Sequence, residues 1–343
     1  MSGSETRPPA AVIFGCKGAR LGGDERRFFA ETQPLGFILF KRNCETPEQL
    51  RALVADLRES VGRPGAPVLV DQEGGRVARL TPPHWREAPA AAVFGALAQR
   101  DLAAAREAAR VNARLIAAEL HDLGIDVDCI PLLDVRAPGL HDSIGDRAFA
   151  DDTDVVAALG RAVCEGLLAG GVLPVVKHVP GYGRALVDSH VELPVVDAAR
   201  ADLEAVDFAP FKALNDMPLA MTAHVLCRAV DGNAPATVSP LVVGEVIRGF
   251  IGFDGLLMTD DLSMEALGGA IGARAHAALA AGCDVALHCN GKLDEMREVA
   301  AAVRPLDDAG LERWRRAAAM RQAPEPFDAA AALARLDALL AGL

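Results

Sequence analysis

Two tryptophans and one tyrosine in 343 residues are too few to pave a long binding cleft with stacking rings. Cysteine is present but unpatterned. Cys16, Cys44, Cys129, Cys164, Cys227, Cys283 and Cys289 are odd in number and form no C-x-x-C pair, which argues against a disulfide framework or a thiolate metal cluster and for free thiols in a reducing compartment. Positive charge is in deficit: 35 Lys and Arg stand against 47 Asp and Glu, a formal charge of −12. Such a surface repels phosphate backbones and anionic membranes. No apolar run approaches the ~18 residues of a membrane span. The N-terminal run at 10–16 follows two prolines and has no basic leader, so no signal peptide is read. The expectation is a soluble cytoplasmic monomer with neither nucleic-acid nor membrane partners. No linker-like stretch or block of like charge divides the chain, and residues 1–343 are expected to form one domain.

Several signatures are also missing. No G-x-x-x-x-G-K-[ST] occurs, and Gly181-Tyr182-Gly183 lacks the third glycine of a dinucleotide loop. There is no G-x-S-x-G elbow, and Ser189, between Asp188 and His190, would point away from its would-be base.

What is there is a run of short apolar segments at 11–17, 35–40, 67–71, 127–135, 172–178, 219–225, 255–260 and 284–290. Each lacks period-two alternation and reads as a strand buried on both faces, as in a parallel sheet. Helical spacing fills 46–60, 96–123, 155–168, 203–214, 242–248 and 264–281, and 306–343, with Trp314, reads as packing helices. Eight strands alternating with helices predict an α/β fold, a single (β/α)8 TIM-type barrel; a doubly wound open sheet is the alternative. Asp71, Asp134, the pair Lys177-His178, His224, Asp260 and Asn290 sit at or near C-terminal strand ends, which in a barrel converge on one mouth.

Three segments carry chemistry. In the stretch at 255–264 the adjacent carboxylates Asp260 and Asp261 point to opposite faces of an extended chain, so one looks into the mouth and the other is free to cap a helix near Leu262. A divalent-metal reading would add Asp71 and Asp134 as oxygen ligands. In 187–190, Asp188 and His190 lie two apart, so the carboxylate can accept the Nδ1 proton while Nε2 gives or takes another; an ordinary surface loop with a chance Asp-x-His is the plain alternative. In 70–80, Asp71 is followed by a glycine turn and by Arg76 and Arg79. Carboxylates and guanidinium groups grip sugar hydroxyls, and phosphate is the rival ligand for the arginines.

Taken together, G-F-I-L-F-K-R-N (36–43), V-D-Q-E-G-G-R-V-A-R (70–79), I-G-D-R-A-F (144–149), K-H-V-P-G-Y-G-R-A-L-V-D-S-H (177–190), M-T-A-H-V (221–225), T-D-D-L-S-M (259–264) and A-G-C-D-V-A-L-H-C-N (281–290) resemble glycoside hydrolase family 3, and within it the single-domain bacterial β-N-acetylhexosaminidases of peptidoglycan recycling. The resemblance implies that Asp260 is the nucleophile of a retaining mechanism and that His190, oriented by Asp188, is the acid/base. It implies that Asp71, Arg79, Arg147, Lys177 and His178 hold a terminal N-acetylglucosamine, and that no cofactor or metal takes part. The implied substrate is a small muropeptide, N-acetylglucosaminyl-anhydro-N-acetylmuramic acid with or without its peptide. A β-glucosidase or glycoside phosphorylase of the same family, and a non-catalytic sugar-binding barrel, are the alternatives. The scarcity of aromatics fits a pocket for one terminal sugar. The chain departs from the family in Tyr182, where histidine is usual, and Val179, where phenylalanine is usual. Pro180, Gly181 and Gly183 are expected to start a mobile loop that carries Asp188 and His190 over the bound sugar.

Overall fold

The structure is a computed structural model, which describes residues 8–139, 141, 143–189 and 191–343. Eight parallel strands close on themselves: Ala10–Gly15, Pro34–Leu39, Val68–Val70, Val127–Asp128, Leu173–Val179, Leu219–Thr222, Leu256–Asp261 and Val285–His288. All eight fall on the expected apolar runs, and helices follow them on the outside, so the expected (β/α)8 barrel is present. The uniform hydrophobicity of the strands has a simple cause. In the first strand Ala11 and Ile13 fill the barrel interior, whereas Val12 and Phe14 pack outward against the helices, so neither face meets water.

The helices differ from the expectation at their ends. The expected helix at 96–123 is two, Ala91–Ala98 and Leu102–Asp122, because Asp101 accepts the Ala104 N–H and caps a new start. The helix expected from 264 begins only at Ile271. Its delay traces to Gly268 and Gly269, the latter at φ +86°, and to Arg274, which donates to the carbonyls of Leu262, Met264 and Gly269 and holds 262–269 as irregular chain. The fourth strand is regular over Val127–Asp128 alone, although Leu132 bridges to Lys177 further on. A two-stranded ribbon, Val195–Val196 with Leu226–Cys227, and the helices Gly23–Thr32 and Leu293–Ala302 had no counterpart in the sequence reading.

The helix Asp308–Met320 lies across the N-terminal ends of the strands. Ala317 and the partly buried Leu311 and Trp314 join the barrel-interior cluster. Arg313 pairs with Asp254 and Asp284, just before the seventh and eighth strands. With that end plugged, the opposite end is the open one.

Candidate active site

The C-terminal strand ends surround a cavity of about 190 Å3, lined among others by Asp71, Arg79, Lys177, His178, Asp188 and Asp260. Arg147 also lines it, as does Glu73, which was not among the expected site residues. His190 lies outside the described residues.

The floor is an interlocked set of charges. Lys177, 2% exposed, donates to Asp71 Oδ1 and Glu73 Oε1, each at 2.8 Å. Arg147 donates in parallel to both Glu73 oxygens at 2.8 and 2.9 Å. Arg79 donates to Asp71 Oδ2 at 3.1 Å, whereas its Nε–H is buried with no partner among the described residues. Burial pushes the Asp71 carboxyl up, but the Lys177 and Arg79 charges and hydrogen bonds outweigh it and hold it well below the usual range. Glu73 shows the same balance, burial against Lys177 and Arg147, and is held at about 2. Burial pulls Lys177 down, and Asp71 and Glu73 reverse that and keep it well above its ordinary value. These groups therefore stay ionised at neutral pH, presenting fixed donors and acceptors to a polyhydroxylated ligand.

Asp260, next to last in the seventh strand, has its side chain 21% exposed, toward the cavity. Its Oδ1 accepts the Asp261 N–H at 2.7 Å, and Oδ2 stands 4.0 Å from His178 Nε2. Burial opposes its ionisation, but His178, His224, the Asp261 N–H and Lys177 prevail, so its pKa is lowered. Asp261, the neighbour, is occupied elsewhere. It accepts from the Ser263 N–H at 3.1 Å, the Ser263 hydroxyl at 2.6 Å and the Cys289 N–H at 3.1 Å. It thus caps a turn; no helix starts near Leu262, contrary to expectation. Both residues line the cavity, but these bonds turn the Asp261 carboxylate to Ser263 and Cys289 while that of Asp260 stays beside His178.

Asp134 is fully buried and acts one layer back. Its Oδ2 holds His178 Nδ1 at 2.8 Å, and Oδ1 accepts the Tyr182 N–H at 2.7 Å. His178 thereby turns Nε2 toward Asp260. Two other strand-end groups do not line the cavity. His224 bonds the Thr237 hydroxyl and the Asp261 carbonyl, and Asn290 donates to Glu295. Arg76 also turns away, to Asp146 at 3.0 Å.

The segment after the fifth strand is tied down at several points. Ala137 and His141 donate to the carbonyls of Gly183 and Ala185, and Ala266, from the loop after the seventh strand, donates to that of Ser189. Gly181 has φ +136°. A Cβ on Gly183 would stand 1.8 Å from the Val135 carbonyl oxygen, so this glycine serves close packing.

Among the described residues no three His, Cys, Asp or Glu side chains gather to hold a metal ion, and no helix is long and apolar enough to cross a membrane. The model of the glycosyl hydrolase family 3 N-terminal domain matches residues 18–314. A protein of Alkalilimnicola ehrlichii named beta-hexosaminidase is 42% identical over 283 residues, 81% of this chain and 80% of its own. Another of that name, from Aromatoleum aromaticum, is 38% identical and covers 94% of this chain and 90% of its own. Among solved structures, NagZ from Neisseria gonorrhoeae in complex with N-trifluoroacetyl-D-glucosamine superposes with a TM-score of 0.87 at 32% identity, covering 98% of this chain and 99% of its own.

Proposed function

The chain belongs to glycosyl hydrolase family 3 and is a glycoside hydrolase of the β-N-acetylhexosaminidase type; within that activity we propose that it is a retaining exo-enzyme releasing terminal N-acetylglucosamine from muropeptide fragments. The observation that carries this reading is the placement of an ionised carboxylate, Asp260, at the edge of a small cavity whose floor is the Asp71–Lys177–Glu73 cluster. A cavity of this size suits one sugar ring, and the scarcity of aromatic side chains leaves recognition to hydrogen bonds.

In the proposed mechanism Asp71, Arg79, Arg147, Lys177 and His178 fix the hydroxyls of the terminal sugar, so its anomeric carbon meets Asp260 Oδ2. That oxygen attacks as the glycosidic bond breaks, and His190 gives its proton to the departing oxygen. The product is a glycosyl ester on Asp260. A water then enters, His190 takes its proton, the hydroxide attacks the anomeric carbon, and the Asp260 carboxylate leaves. Asp188 orients the imidazole through both halves. The lowered pKa of Asp260 serves this scheme, since it favours the ionised nucleophile. Muropeptide substrates place the enzyme in cytoplasmic cell-wall recycling.

The test is release of nitrophenol from the N-acetylglucosaminide and the glucoside, with and without phosphate. The N-acetylglucosaminide is expected to be preferred without any phosphate requirement. Asp260→Ala should lose about four orders of magnitude in turnover, whereas His190→Ala should lose little with dinitrophenyl and much with alkyl leaving groups in kcat/KM, because only poor leaving groups need protonation. Near-wild-type turnover in Asp260→Ala would sink the mechanism.

A further inference from the structure

The only tyrosine of the chain uses its phenol twice. Tyr182, 5% exposed, donates its O–H to the Val187 carbonyl at 3.1 Å and accepts the Ser189 N–H at 2.8 Å. These partners belong to the two residues that flank Asp188. One oxygen atom acts as donor and acceptor at once, so it fixes both peptide groups relative to a single point. Behind it, the Tyr182 N–H is held by Asp134 Oδ1 at 2.7 Å, and the other oxygen of that carboxylate holds His178 at 2.8 Å. A fully buried carboxylate thus anchors the imidazole beside Asp260 and the residue that grips the Asp188 segment. From the other side, the Ser189 carbonyl accepts the Ala266 N–H at 3.1 Å, from the loop that follows Asp260.

We propose that Tyr182 is a positioning residue for proton transfer: its hydroxyl clamps the backbone on either side of Asp188 and so sets where the acid/base pair stands relative to Asp260. The inference rests on the roles given above to Asp188 and His190. A competing account is a buried tyrosine that merely satisfies its own hydroxyl. That account predicts a loss of stability and nothing selective, whereas a displaced acid/base harms only steps that move a proton.

Tyr182→Phe separates the two, since it keeps the ring and deletes both hydrogen bonds. The expected result, across a series of aryl and alkyl N-acetylglucosaminides, is kcat/KM about tenfold lower for the poorest leaving groups, the worth of about one hydrogen bond. With the dinitrophenyl substrate kcat/KM should change by less than about twofold. Its kcat, limited by water attack on the glycosyl-enzyme, should fall and be restored by azide, a nucleophile that needs no deprotonation. The ratio between substrates does not depend on the folded fraction, and a calorimetric Tm reports stability separately. An equal loss for all leaving groups, or no loss, overturns the proposal. His190→Ala run beside it guards the underlying reading. If His190→Ala shows a steep leaving-group dependence and azide rescue while Tyr182→Phe is flat, only the clamp is wrong; if His190→Ala is itself flat, the assignment of the acid/base fails.

Discussion

Lys177 holds Asp71 and Glu73 at 2.8 Å each, and Glu73 also receives both arms of Arg147, so the charge of the buried ammonium is balanced by protein rather than water. The consequence for pH has a definite sign. Glu73 is held at about 2 against an ordinary 4.5, so the folded state binds fewer protons than the unfolded one. The stabilisation it brings is complete above pH 4.5 and is lost as pH falls from there toward about 2. Asp71 shifts in the same direction. Lys177 is raised above its ordinary 10.5, so its contribution is intact below pH 10.5 and is lost only as pH rises further. Glu73→Gln should cost about 3 kcal/mol at neutral pH, since it leaves cations under-compensated in a buried site. It should also flatten the fall of Tm between pH 4.5 and 2. Calorimetry across that range checks both, and an unchanged acid slope would show that Glu73 is not the titrating group. Glu73 was legible in principle. It lies two residues from Asp71, and the alternation used to separate Asp260 from Asp261 puts residues 71 and 73 on one side of an extended chain. Asp134 could be placed at the mouth from its strand end. Its partners could not, because they depend on how the chain returns after Pro180.

The loop after the fifth strand shows what local sequence conveys and what it conceals. K-H-V-P-G-Y-G carries glycines that a sequence reading takes as hinges. In the fold, Gly183 abuts the fourth-strand extension so closely that a methyl group would overlap the Val135 carbonyl oxygen, and its own carbonyl accepts the Ala137 N–H. A hinge and a close contact both call for glycine, and only the packing partner tells them apart. They differ on substitution. Gly183→Ala should lower stability by about 2 kcal/mol through overpacking and push the Asp188 segment outward, so kcat/KM should drop most for poor leaving groups. A variant with wild-type Tm but slowed turnover would instead assign Gly183 the hinge role. The helix ends failed for a related reason: 262–269 stays irregular because Arg274, a full turn into the next helix, reaches back to its carbonyls, and no pattern within 262–269 announces that.

At the scale of the whole molecule, the strands were the most legible part because burial on both faces erases alternation and leaves compact apolar runs, while the polar residues at their ends mark the mouth. The far end was read only as packing helices, although it has a specific task. A parallel barrel must close its N-terminal opening over an apolar interior, and the helix Asp308–Met320 does so with Trp314, Leu311 and Ala317 beneath the interior cluster. Arg313 and Arg316 dock it to Asp254 and Asp284, and Arg321 to Asp126, all three acids lying just before strands. The apolar closure of the barrel and the cavity bearing Asp260 therefore lie at opposite ends of the same strands. Trp314→Ala should open a void under the interior layer and cost about 2 kcal/mol, less than a fully buried tryptophan because Trp314 is only partly covered. The cavity bearing Asp260 is lined entirely from the other end, so kcat/KM at a temperature well below the lowered Tm should equal that of the wild type. A matching loss of activity there would mean that the interior layer transmits strain to the cavity bearing Asp260, and that the two ends are not independent.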